Sequence, residues 1–96
     1  MSLNKREIVT FSNISATPAS FSLEGGFYGM QASATWGGGS VTLNRLSNDG
    51  STWVSTGTSF LANGFTTAYL MSGTYQVAIA TATAVYAEII SIVTTP

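Results

Sequence analysis

The chain has 96 residues and a formal net charge of -1; 45% of its residues are hydrophobic and only 7% are charged, with no cysteine and no histidine. An ordinary soluble domain is about 25% charged. The length suits one domain, and the composition excludes a basic nucleic-acid surface, a disordered chain, a disulfide framework and any thiolate- or imidazole-ligated metal site.

Residues 1–11 hold Lys5, Arg6 and Glu7, three of the seven charges. This stretch has no apolar core of a secretory signal, and it reads equally as an N-terminal arm reaching a neighbour or as a frayed terminus. Beyond it no helical apolar repeat stands out, and β-branched and aromatic residues dominate. Turn signals recur at short spacing, which predicts a single all-β domain, an antiparallel β-sandwich of jelly-roll or immunoglobulin-like type with about eight strands. The predicted strands cover residues 7–14, 19–24, 27–36, 40–46, 52–56, 59–61, 66–71 and 74–92. The last is too long for one strand and is expected to break near Ala82-Thr83-Ala84 into 74–80 and 85–93, making nine segments.

Alternation assigns the inward faces. Tyr28, Met30, Ala32, Ala34 and Trp36 form one row, Val41 and Leu43 a second, Tyr75, Val77 and Ile79 a third. Asn48-Asp49-Gly50 tolerates positive φ and predicts a hairpin joining 43–46 to 52–56. Gly37-Gly38-Gly39 reads as a flexible hairpin loop; it opens a strand rather than a helix, so it lacks the anion site of a phosphate cradle. The final strand is apolar on both faces. Val85, Ala87 and Ile89 share one side. Tyr86, Ile90 and Ile92 share the other, broken only by Glu88. The outer face of a two-layer sandwich is normally polar, so this second face needs either a covering layer or a partner.

Chemistry is hard to place. The carboxylates are Glu7, Glu24, Asp49 and Glu88. Asp49 and Glu24 sit at turns, and Glu88 is expected to pair with Arg45 across a sheet. An acid–base pair needs two acids placed together. The hydroxyls lack a histidine base, and Lys5 is the only lysine. Asn48 and Asp49 fall short of the 6–8 oxygens calcium takes. No enzyme activity, cofactor or metal is therefore expected. Trp36 is assigned to the core; Trp53 follows a turn and could stack on a sugar ring.

The segments Val41-Thr42-Leu43-Asn44-Arg45-Leu46-Ser47-Asn48-Asp49-Gly50-Ser51-Thr52-Trp53-Val54 and Ser72-Gly73-Thr74-Tyr75-Gln76-Val77-Ala78-Ile79, with Val85-Tyr86-Ala87-Glu88-Ile89, resemble small β-sandwich virion proteins of tailed bacteriophages, in particular head decoration (cement) proteins. The likeness spans residues 21–92. It implies a non-enzymatic structural protein made in the bacterial host cytoplasm and carried on the capsid exterior. There it would bind the major capsid protein, as a homo-oligomer for which a trimer suits local three-fold positions, with no nucleic-acid or membrane partner. No functional residues carry over. The scarcity of charge points the same way, because a small free monomer keeps itself soluble with mixed surface charge. The candidate contact residues are Leu3, Lys5 and Arg6 in the arm and Tyr86, Ile90 and Ile92 on the last strand. A carbohydrate-binding or adhesion module, including a tail or fibre component, is the alternative.

Overall fold

A computed structural model describes residues 7–92. Eight strands follow one another: β1 (Ile8–Ile14), β2 (Phe21–Leu23), β3 (Gly26–Thr35), β4 (Ser40–Leu46), β5 (Trp53–Phe60), β6 (Gly64–Leu70), β7 (Gly73–Ala80) and β8 (Thr83–Ser91). They form two four-stranded antiparallel sheets, β1-β8-β3-β6 and β2-β7-β4-β5. Described this way, the chain is one long nested hairpin. The first strand pairs with the last, the second with the seventh, the third with the sixth and the fourth with the fifth. Rolling that hairpin up yields the jelly-roll arrangement of two packed sheets, the first of the two expected sandwich types.

The alternating apolar residues bury between the sheets. Val85, Ala87 and Ile89 of β8 and Tyr28, Met30 and Ala32 of β3 meet Val41 and Leu43 of β4 and Tyr75 and Val77 of β7, all nearly inaccessible. Trp36 and Ile79 pack against this core from its margin. Fully burying one such aliphatic side chain stabilises by about 1.5–3 kcal/mol, so these rows hold the two layers together.

Several boundaries differ from expectation for identifiable reasons. The expected segments 52–56 and 59–61 are one strand, β5. Between them Gly57 forms a bulge with φ 93°, where the pairing with β4 skips between Thr42 and Asn44. Hydroxyls serve the backbone there: Thr56 Oγ1 donates to the Leu43 carbonyl at 3.0 Å, and Gly57 N–H donates to Ser55 Oγ at 3.1 Å. The long C-terminal segment does break, at Thr81-Ala82, one residue ahead of the expected place, with Thr81 at φ 69°. The Gly37–Gly39 stretch turns tightly, with φ 54° and 83° at Gly37 and Gly38. It does not close a hairpin, because it carries the chain from β3 in one sheet to β4 in the other. The Asn48-Asp49-Gly50 turn closes the expected hairpin, setting Leu46 opposite Trp53 and Arg45 opposite Val54.

Candidate functional site

The outer face of the β1-β8-β3-β6 sheet is built by the alternate residues that the core does not use. On β8 these are Tyr86, Glu88 and Ile90, and Ile92 continues the row just past the strand, its N–H donating to the Phe27 carbonyl at 2.8 Å. Cross-strand register brings neighbours to them. Ile8 of β1 lies opposite Ile90, Gly29 of β3 lies on its other side, and Phe65 of β6 lies opposite Gln31. Tyr86, Ile90 and Ile92 thus share one surface, as alternation required. Ile8 is 58% exposed, Phe65 66% and Tyr86 50%.

The centre of this surface is hollow. Gly29 has no side chain, and the tips of Ile92 and Phe65 lean over it: a methyl placed on Gly29 would lie 3.3 Å from Ile92 Cδ1 and 3.5 Å from Phe65 Cζ. The resulting dimple of about 220 Å³ is bordered by Gly29, Gln31, Phe65, Glu88, Ile90 and Ile92. Beside it the Phe27 and Tyr69 rings pack at 4.6 Å between centroids, tilted by 39°. The outer face of a two-layer fold is normally polar, so a contiguous apolar row there stands out. β8 is a central strand in its sheet, yet among the described residues nothing covers its outer face.

Of the remaining candidates, Leu3, Lys5 and Arg6 lie outside the described residues. The rest of the candidate arm, residues 7–11, is built into the sheet. Ser91 N–H donates to the Glu7 carbonyl at 2.8 Å and Glu7 N–H to Ser91 Oγ at 2.8 Å, and Ile8 begins β1. Ile8, Phe27, Phe65 and Tyr69 were not singled out from the sequence. Each lies on a different strand from Tyr86 and Ile90, and only the long-range register places them together.

A second concavity of about 580 Å³ opens at the end of the sandwich beside the free edges of β5 and β6, with Arg45, Asn48, Val54, Tyr69, Met71 and Tyr75 among its lining. Arg45 is the one cation among the described residues. Its Nη2 donates to the Ser72 carbonyl at 2.6 Å, and its guanidinium lies against Gly73, where a methyl would come within 2.7 Å of it. Its Nε is buried without a partner. The expected Arg45–Glu88 pair does not form, because Glu88 stands on the outer face of the other sheet, opposite Thr10 and Gln31. Tyr75 donates to the Met71 carbonyl. Burial raises its hydroxyl pKa, and the neighbouring Arg45 opposes the rise.

The Glu7 and Asp49 carboxylates each accept a backbone N–H and a side-chain hydroxyl. Glu7 Oε1 accepts from Glu24 N–H and from Tyr28 Oη, both at 3.0 Å. Asp49 accepts from the N–H groups of Ser51 and Thr52 at 2.9 and 3.0 Å and from the Thr52 hydroxyl at 2.7 Å. Those donors lower its pKa, as hydrogen bonds to a charged carboxylate do. Trp36 Nε1 donates to Asn63 Oδ1 at 2.8 Å, pinning the end of β3 to the β5–β6 turn, and Trp53 is half-buried. Neither indole offers the flat exposed ring a sugar-stacking platform uses. No protein-family model matches this chain, and no curated protein matches it significantly.

Proposed function

We propose that the protein is a non-enzymatic structural component of a tailed-bacteriophage virion, a capsid decoration protein that seats the outer face of its β1-β8-β3-β6 sheet on the coat lattice. One observation carries this reading: an outer sheet face that should be polar instead presents Ile8, Phe65, Tyr86, Ile90 and Ile92 around a glycine-floored dimple. Each such side chain buried in a contact contributes about 1.5–3 kcal/mol before the cost of association. A lattice then multiplies modest contacts, because many copies bind one shell. The near absence of charge removes both repulsion from neighbours and long-range steering, and suits surfaces that stay covered. In this reading the protein is made in the host cytoplasm and resides on the capsid exterior. The major capsid protein is its partner, and Leu3, Lys5 and Arg6 are further contact residues.

The test is retention on shells of the cognate coat protein. Occupancy should fall when Phe65 or Tyr86 is changed to Ser and when residues 1–6 are removed. Full retention by all three variants would defeat the reading.

A second reading, a carbohydrate-binding or adhesion module, draws on the 580 Å³ cleft with Arg45, Asn48 and the two tyrosines. Jelly rolls occur among both capsid proteins and lectins, so the fold favours neither. Glycan-array binding lost on Arg45→Met but kept on Tyr86→Ser would favour the sugar.

A further inference from the structure

Four strands end the two sheets: β1 and β6 in one, β2 and β5 in the other. A bare edge strand is a template for another chain unless something blunts it. Three of the four are blunted. β2 has only three residues. β1 is interrupted between Phe11 and Ile14, where Asn13 takes φ 55°. β5 is bulged at Gly57. β6 has none of these protections. Its seven residues pair with β3 without a break, from Gly64 opposite Ala32 to Leu70 opposite Gly26. It contains no charge and no proline, and Phe65, Thr66, Thr67 and Tyr69 are exposed.

The direction of its free backbone groups follows from one bond. Ile92 N–H donates to the Phe27 carbonyl, so Phe27, and by alternation Gly29 and Gln31, turn their polar backbone toward β8. Tyr28, Met30 and Ala32 then turn theirs toward β6, where they meet Ala68, Thr66 and Gly64. What remains on β6 is the N–H and C=O of Phe65, Thr67 and Tyr69, aimed off the edge of the sheet.

We infer that β6 pairs antiparallel with β6 of a second copy of this chain, across a two-fold axis through Thr67. In this register Thr67 faces its own counterpart, and Phe65 faces Tyr69 of the second copy on either side of the axis. Every outward N–H then meets an outward C=O, two bonds for each facing pair. The side chains agree with the backbone. Phe65, Thr67 and Tyr69 lie on the outer face, so each Phe65 ring falls beside a Tyr69 ring that already packs on Phe27 at 4.6 Å, and aromatic cross-strand pairs stabilise a sheet. No like charges meet anywhere along the strand. The pairing fuses two four-stranded sheets into one of eight and sets their apolar outer faces side by side. It stands whether or not that surface binds a capsid.

The experiment uses the full chain. Light scattering at rising concentration should show the mass climbing from 10.0 kDa to twice that value. Thr67→Lys sets like charges opposite each other on an exposed position, and should weaken the dimer at least about tenfold, with an unchanged thermal melt at dilutions where both proteins are single copies. Thr67→Glu should do the same, and mixing the two variants should restore the two-copy species. The protein has no cysteine, and directly opposed residues of such a pair sit about 5.5 Å apart at Cα, within disulfide reach. Thr67→Cys should therefore cross-link far faster than Ser59→Cys on the bulged β5 edge. A single-copy mass at every concentration, a dimer indifferent to Thr67→Lys, no recovery on mixing, or equal cross-linking of the two cysteine variants would each overturn the inference.

Discussion

The Tyr28 hydroxyl lies 3.0 Å from Glu7 Oε1 and also reaches the Glu24 carbonyl. One ring, buried in the core by its body, thereby ties the start of β1 to the corner between β2 and β3. Burial raises the pKa of this hydroxyl, and the Glu7 carboxylate that accepts from it raises it further. Removing the hydroxyl in Tyr28→Phe should cost about 1–3 kcal/mol, which for a domain of this size lowers the melting midpoint by ~4–8 °C per kcal/mol. The sign of the pH dependence follows from the raised value. The hydroxyl's contribution is complete below pH 10, where an unfolded tyrosine is still protonated, and it drains away as pH rises above 10. Urea unfolding at stepped alkaline pH should show wild type and Tyr28→Phe converging. Tyr75, also raised, leaves a residual slope in the variant.

Asp49 makes the opposite prediction. Its carboxylate is held below the ordinary 3.8 by Ser51 and Thr52 donors, so its contribution is present above that value and is lost as pH falls from there through the depressed one. Asp49→Asn keeps an acceptor oxygen for the turn and should flatten the acid limb of the stability curve. Asp49→Ala should flatten it and also lower the melting midpoint at neutral pH. A carboxyl titration followed by NMR checks the shift directly.

Gly39 is needed for closeness. Its Cα faces the β7–β8 corner, where a methyl would run into the Ala80 carbonyl and the Ala82 nitrogen. Both are backbone atoms and cannot step aside cheaply. Gly39→Ala should destabilise by about 1–3 kcal/mol, the usual cost of overpacking. In the same corner Thr81, a β-branched residue, is held at φ 69°. Thr81→Asn, which accepts that region more readily, should raise the midpoint in a thermal melt.

Phe65 and Tyr86 should separate binding from folding. Both are exposed, so Phe65→Ser and Tyr86→Ser should change stability by no more than ~0.5 kcal/mol. If this face is the contact, each should weaken retention on coat-protein shells by about tenfold or more, the effect of a residue worth 1.4 kcal/mol or above. Centrifugation of the shells with titrated protein supplies the number.

Much of this was readable one strand at a time. The rows Val41–Leu43, Tyr75–Val77–Ile79 and Val85–Ala87–Ile89 follow from alternation, and so does the exclusion of Tyr86 and Ile90 from the core. The hairpin at Asn48-Asp49-Gly50 was legible because its turn residues and both strands are neighbours in the chain. The division of β5 into 52–56 and 59–61 failed, since a bulge inside a strand and a gap between two strands look alike without the opposing strand.

Composition and local pattern determined on their own that the chain is a sandwich of short strands, poor in charge, with one strand apolar on both sides. Which strands lie next to one another was decided only by the tertiary structure. The pairing of Ile8 with Ile90 spans nearly the whole chain, and period-2 spacing describes a single strand's faces without naming its neighbours. That pairing brings Ile8, Gly29 and Phe65 around Ile90 and leaves β6 as the unprotected edge, so the candidate surface belongs to the register and to no single stretch of sequence.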